Sequence, residues 1–64
     1  MIVRVVEYLG LTGKIYKTEI GYYHKIFYKK KVIAQMCYYS NTFETARDNM
    51  FKAMENIDLK KLEK

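Results

Sequence analysis

The sequence predicts an α+β domain, with a three- to four-stranded antiparallel meander packed against one C-terminal helix. Residues 1–39 are rich in β-branched and aromatic side chains, which favour extended strands. From Phe43 onward, apolar residues recur at intervals of three and four, the period of a helix with one apolar stripe. Proline is absent and glycine occurs only three times, so a disordered chain is not expected.

The predicted strands cover residues 2–8, 15–20, 22–28 and 32–39. Gly10 and Gly13 lie in a loop over 9–13, where glycine supplies the positive φ angles of a hairpin turn. Gly21 predicts a bulge or a break, so residues 15–28 form either one bent strand or two strands. Residues 29–31 occupy the next turn.

One helix is predicted over residues 42–57. Thr42 or Asn41 is a natural N-cap, because a short polar side chain can accept a hydrogen bond from the first turn. Asp58 either ends this helix and caps a last short turn, or the helix continues, frayed, over 58–64. Residues 1–64 are therefore predicted to form a single domain, with the sheet in 1–39.

A chain of 64 residues has a small core. Domains of this size bury only about 60% of the surface that the unfolded chain exposes. Cys37 and His24 are the single cysteine and histidine, so neither an internal disulfide nor a four-ligand zinc site can form. We therefore expect a homodimer that binds no metal or cofactor. The absence of a long apolar stretch predicts a cytoplasmic protein without a membrane span.

The net charge of +5 lies entirely in the first part of the chain. Residues 1–41 hold seven basic and two acidic residues, whereas residues 42–64 hold five of each. Lysine-rich usage is also typical of AT-rich genomes, so composition alone does not identify a ligand. The acids Glu44, Asp48 and Glu55 are spaced along the solvent side of the predicted helix, with no catalytic pattern. We expect a protein that is not an enzyme.

Lysines and tyrosines are interleaved between residues 14 and 39, where the chain holds six of each. Alternation along the strands predicts an inward row of Val3, Val5, Tyr16, Thr18, Ile20, Val32, Ala34, Met36 and Tyr38. The outward row then holds Arg4, Tyr8, Lys17, Tyr23, Lys25, Phe27, Lys29, Ile33, Gln35, Cys37 and Tyr39. A bulge at Gly21 would exchange the faces of the later residues of that strand, so the choice between Phe27 and Ile26 as the outward residue stays open. The candidate binding residues are Arg4, Lys17, Tyr23, Lys25, Lys29, Lys30, Lys31 and Tyr39.

Three interpretations of this outward row stay open. Lysines that contact phosphates and tyrosines that stack on bases would bind nucleic acid. Aromatic and methionine side chains also favour a dimer or partner interface. Lysine stems that cover the rings would instead make an ordinary solvated surface. The run at 29–31 fits phosphate contacts, or a charged hairpin tip that prevents edge pairing.

The segment YSNTFETA at 39–46, continuing to Ala53, resembles a strand-to-helix junction of known DNA-binding domains. It is similar to that of phage tyrosine recombinase arm-binding domains and plant GCC-box-binding domains, which place three antiparallel strands before one helix. The resemblance implies a sheet that enters the DNA major groove through Lys17, Tyr23, Lys25 and Lys29. This chain differs by having no tryptophan and only Arg4 as a strand arginine. The junction also resembles HicB-type antitoxins, although the glycine before their capping residue is absent.

These observations predict a small non-enzymatic protein that binds nucleic acid as an accessory or regulatory factor, with a phage or other mobile element as the expected source. The alternative is a protein-binding inhibitor or antitoxin-like module that blocks a larger enzyme, as phage anti-defence proteins do.

Overall fold

A computed structural model describes residues 1–36 and 38–62. Its elements are β1 (Ile2–Tyr8), β2 (Leu11–Thr18), β3 (Gly21–Tyr28), β4 (Lys31–Gln35), α1 (Phe43–Asn56) and α2 (Leu59–Leu62). Within these residues, four strands form one antiparallel sheet in the order β1-β2-β3-β4, and α1 packs across β2 and β3. The predicted α+β meander with a C-terminal helix is confirmed. The predictions for Cys37 and for residues 63–64 lie outside the described residues.

A two-residue turn closes each of the three hairpins. The turns fall at residues 9–10, 19–20 and 29–30. The first turn is shorter than the predicted loop, so β2 begins at Leu11 and not at Ile15. Gly21 opens β3 and pairs with Thr18, so residues 15–28 form two strands and Ile20 lies in the turn between them.

Two of these turns have positive φ angles at both residues. Leu9 and Gly10 have φ angles of 54° and 77°, and Lys29 and Lys30 have 50° and 70°. This is the conformation of a type I′ turn, whose twist matches that of the flanking strands. Only Gly10 adopts it without the strain that a Cβ atom introduces. The turn at residues 29–30 therefore holds two lysines with strained backbone conformations.

Each edge strand contains a register shift. In β1 the shift lies between Ile2 and Arg4, and in β4 it lies opposite the step from Ile26 to Phe27. Beyond β4, the chain returns to the sheet at Ser40, which exchanges two backbone hydrogen bonds of 2.7 and 2.8 Å with Tyr22. The last strand is thus shorter than the predicted 32–39, because regular pairing with β3 ends at Gln35.

The core lies between the sheet and α1. Leu11 and Ile15 of β2 and Ile26 of β3 are fully buried, as are Ala46, Met50 and Met54 of α1. Gly13 lies between Leu11 and Ile15 on the same side of β2. A Cβ atom on Gly13 would come within 2.5 Å of the Met50 sulfur, so the helix approaches the sheet most closely where a side chain is missing.

This packing settles which rows of the sheet face α1. Successive strand residues alternate between faces, so Thr12, Lys14, Tyr16 and Thr18 point away from the helix. The predicted inward placement of Tyr16 and Thr18 is therefore wrong, as is that of Ile20 in the turn. On β1 the row on the helix side holds Val6 and not the predicted Val3 and Val5.

Each helix start is capped by one of the residues that the sequence offers for it. The hydroxyl of Thr42 accepts a hydrogen bond from the backbone N–H of Thr45 at 3.2 Å, which identifies Thr42 and not Asn41 as the N-cap. A carboxylate oxygen of Asp58 accepts from the N–H of Lys60 at 3.0 Å and begins α2. The chain therefore breaks between α1 and α2 and does not continue as one helix.

His24 lies on the helix side of β3 and is only 4% exposed. Its Nδ1 atom has no hydrogen-bond partner among the described residues. Burial lowers the pKa of His24 from its ordinary value of 6.5, and a hydrogen bond with the Ala46 backbone partly opposes that shift. The neutral imidazole is thus the form that the fold favours.

We expect stability to fall as the pH drops below 6.5, the ordinary pKa of His24. Above that pH both states carry a neutral imidazole, whereas below it the unfolded chain takes up the proton first, which favours unfolding. Urea denaturation at pH 8 and pH 5.5 measures the effect. The His24→Leu variant removes this titration and should show a smaller loss between the two pH values. An equal loss in both proteins would contradict the prediction.

We also expect Lys30→Gly to stabilise the protein. Relief of the left-handed conformation is worth about 1–2 kcal/mol, and the extra flexibility of glycine in the unfolded chain costs about 0.5–1 kcal/mol. The net gain in the free energy of unfolding should be roughly 0.5–1 kcal/mol in urea denaturation. Lys31→Gly is the matched control, because it removes the same charge within β4 and should destabilise. A loss of stability in both variants would contradict the assignment of the turn.

Candidate functional site

The side of the sheet that α1 leaves uncovered carries a compact set of lysines and rings. We call this whole side of the sheet the open face, and its central residues come from β2 and β3. They are Thr12, Lys14, Tyr16, Thr18, Tyr23, Lys25 and Phe27. The antiparallel register places Lys14 opposite Lys25 and Tyr16 opposite Tyr23. The open face thus has a cationic pair and an aromatic pair side by side on its two central strands.

Three tyrosine rings form one cluster on the open face. The rings of Tyr16 and Tyr23 are stacked, with centroids 4.8 Å apart and planes within 8° of parallel. Tyr39 meets Tyr23 edge-on at 5.4 Å. Tyr39 comes from the segment after β4, which the backbone pairing of Ser40 with Tyr22 holds against the sheet. The strand register and this return of the chain together assemble the cluster.

Lys14 and Lys25 face each other, and neither amine lies within ion-pair distance of an acid among the described residues. Like charges directly opposite on a sheet destabilise it. The Lys14 amine lies 4.8 Å from the Phe27 ring centroid, and the Lys25 amine lies 5.5 and 5.9 Å from those of Tyr16 and Tyr23. Among the described residues, the one ion pair is Arg47–Asp48 on α1, so ring faces and not carboxylates partner the two amines.

Two shallow depressions flank the cationic pair. One, of about 210 Å³, lies toward the 29–30 turn and is lined by Thr12, Lys14, Phe27 and Lys30. The other, of about 340 Å³, lies toward β4 and is lined by Tyr23, Lys25, Gln35, Met36, Tyr38 and Tyr39. Each combines an amine with at least one aromatic ring. Each is therefore suited to a flat group that carries negative charge nearby.

Some of the predicted binding residues lie together and others do not. Tyr23, Lys25 and Tyr39 meet on the open face, and Lys29, Lys30 and Lys31 lie exposed at the β3–β4 turn. Arg4 and Lys17 lie instead on the helix side of the sheet. The Arg4 guanidinium is 5.4 Å from the Phe43 ring and the Lys17 amine is 5.9 Å from the Tyr22 ring.

The outward placement predicted for Arg4 and Lys17 is wrong, and each error has a structural reason. Arg4 follows the register shift in β1, and one extra residue moves every later side chain to the other face. Tyr8 moves with Arg4 and packs edge-on against Phe51 at 5.3 Å. Lys17 continues the row of Leu11, Gly13 and Ile15, which faces α1.

Sequence reasoning missed three members of the site. Lys14 and Tyr16 were not among the candidate residues, although the alternation from Leu11 to Ile15 marks them as outward. Tyr38 was predicted to point inward but is 83% exposed beside Tyr39. On β4, Val32 pairs with Phe27 and is exposed, whereas Ile33 packs against the core, so both placements were also wrong. The bulge in β4 explains that exchange.

Comparison of the chain with protein-family models, with curated proteins and with solved structures finds no match. The resemblance to DNA-binding and antitoxin junctions therefore stays a prediction. In residues 1–36 and 38–62, no three His, Cys, Asp or Glu side chains come together as metal ligands would. The helices of this part of the chain are too short or too polar to cross a bilayer.

We expect the Lys25→Glu variant to be more stable than Lys25→Gln, because both lose the contacts of the Lys25 amine with the Tyr16 and Tyr23 rings. Only the glutamate places a carboxylate directly opposite Lys14, an attractive cross-strand pair worth about 0.2–1 kcal/mol. Urea denaturation at low ionic strength measures the gain, which should shrink in high salt. A Lys25→Glu variant no more stable than Lys25→Gln at low ionic strength would contradict the cross-strand assignment.

Proposed function

We propose that the protein binds single-stranded nucleic acid on its open face, as a non-enzymatic accessory or regulatory factor. The observation that carries this proposal is the Lys14–Lys25 pair beside the stacked Tyr16–Tyr23 pair. Cations attract the phosphates of the strand, and aromatic rings stack on its bases. Both requirements are met within two adjacent strands.

A phosphate between the two amines would remove the repulsion that the free protein carries. The cost of the like-charge pair is then recovered on binding, which makes the pair a poor structural feature but a useful binding one. The lysines of the β3–β4 turn extend the positive surface at one end. Binding driven by these amines should weaken steeply as salt rises, because released counterions drive it.

The lysines must leave the rings before bases can stack there. An exposed cation–π contact is worth about 0.5–1 kcal/mol, whereas stacking of one base on an aromatic ring is worth about 1–3 kcal/mol. Exchange of the first interaction for the second is therefore favourable, and the amine that is released becomes free to contact phosphate. Tyr38 and Tyr39 offer exposed ring surface without this exchange.

A single strand fits this surface better than a duplex read in its major groove. Arginine to guanine is the commonest specific major-groove contact, and Arg4 lies on the other side of the sheet. Stacking on tyrosines needs bases that are already unpaired. We therefore expect a modest sequence preference, set by stacking and not by recognition of base edges.

Fluorescence anisotropy with labelled single-stranded DNA and RNA, compared with a duplex of the same sequence, tests the proposal. We expect tighter binding to the single strands, with a logarithmic salt slope of about −0.7 for each phosphate that is contacted. If none of these probes binds at low salt, the proposal is refuted.

A pair of charge reversals on β2 tests the face that binds. Lys14→Glu should weaken binding and reduce the salt slope by about 0.7, because Lys14 lies on the open face. Lys17→Glu is the matched control, since it makes the same change three residues along the strand but on the helix side. Equal losses from the two variants would show nonspecific attraction and contradict the proposed site.

The alternative, a protein-binding inhibitor, makes a different prediction. Its complex would survive high salt and would not require the Lys14–Lys25 pair. A partner that stays bound to both Lys14→Glu and Lys17→Glu in high salt, with no oligonucleotide binding by the wild type, would favour this alternative.

A further inference from the structure

The two edges of the sheet differ in how well they are protected from another strand. At one edge, β4 has only five residues, contains a register shift and begins at a run of lysines. Short length, bulges and lysine are the usual means of preventing edge pairing. At the other edge, β1 has seven residues and neither lysine nor proline. Its own register shift lies at the start of the strand, between Ile2 and Arg4, and the residues from Arg4 to Tyr8 pair regularly. Among the described residues, β1 pairs with β2 alone.

From Arg4 to Tyr8, the outer side of β1 offers a regular set of backbone groups. In an antiparallel hairpin closed by a two-residue turn, the residues that flank the turn bond to each other, and every second residue beyond them does the same. Tyr8, Val6 and Arg4 therefore bond to β2. The N–H and C=O groups of Val5 and Glu7 point outward, away from the sheet. Their side chains lie with the open face.

The side chains along this edge are apolar and nearly free of net charge. Met1, Ile2, Val3 and Val5 are all exposed, and Val5 is 52% exposed. The strand carries one positive and one negative residue, Arg4 and Glu7, although the whole chain carries +5. It is therefore the part of the sheet where two copies of a basic protein can approach without strong repulsion.

We propose that β1 pairs antiparallel with β1 of a second copy, which makes a continuous eight-stranded sheet. An extended strand can pair with these outward groups, and a two-fold axis through Val5 lets the N–H and C=O groups of the two Val5 residues bond to each other. Residues that face each other across such a pair share one side of the sheet. Val5 would lie opposite Val5, and Arg4 opposite Val6, so no like charges meet.

This arrangement places both helices on one side of the extended sheet and both open faces on the other. The axis is perpendicular to the sheet, so two sets of lysines and tyrosines would form one surface of double width. The dimer rests on the edge of β1 and not on nucleic-acid binding, so it stands or fails independently of the proposed function.

Sedimentation equilibrium over a range of concentrations tests the dimer. We expect the wild-type mass to approach twice the 7.7 kDa of one chain. In the Val5→Glu variant, two carboxylates would meet at the axis and the mass should stay that of one chain. The Val5→Glu variant should still fold, because within one copy the new carboxylate lies opposite Lys14. Val32→Glu is the matched control at the other edge, with 48% exposure, and should remain dimeric.

Hydrogen exchange locates the contact. The amide of Val5 should exchange at least tenfold more slowly in concentrated than in dilute wild-type protein, whereas those of Arg4 and Val6 should not change. A wild-type mass of one chain at every concentration would overturn the proposal. So would a dimer that Val32→Glu dissociates and Val5→Glu does not, or one that leaves the Val5 amide unprotected.

Discussion

The contact of α1 with one row of β2 is the constraint on which the rest of this structure depends. Met50 and Met54 fill the space above Gly13, between Leu11 and Ile15. Because strand side chains alternate, this contact assigns every residue of β2 to a face. The register with β3 then transmits the assignment to Tyr23, Lys25 and Phe27. The position of a few methionine side chains thus determines where the cations and rings of the open face lie.

The chemistry of the open face follows from that geometry. A sheet with one helix has one covered side, and a chain with a small core must leave aromatic side chains on the other. The unusual feature is the pair of lysines that face each other beside these rings and form no ion pair. A purely structural surface gains nothing from such a pair. An anionic ligand gives it a use.

Much of the fold could be predicted because it depends on local signals. The β1 strand, the α1 helix and the caps at Thr42 and Asp58 follow from side-chain type and spacing. The faces could not be predicted as reliably, since they depend on register. Gly13 has no side chain, so the apolar row of β2 that faces α1 is interrupted in the sequence. The bulges near Val3 and Ile33 each exchange inward and outward residues. Lys25 and Tyr23 were placed correctly, whereas Arg4 and Lys17 were not.

If nucleic acid binds on the open face, the tyrosines of that face should respond to it and those of the helix side should not. Nuclear magnetic resonance of tyrosine-labelled protein, titrated with single-stranded oligonucleotide, measures this directly. We expect ring shifts at Tyr16, Tyr23 and Tyr39 on the open face, with little change at Tyr8, Tyr22 and Tyr28 on the helix side. Shifts of equal size in both groups, or larger shifts on the helix side, would contradict binding on the open face.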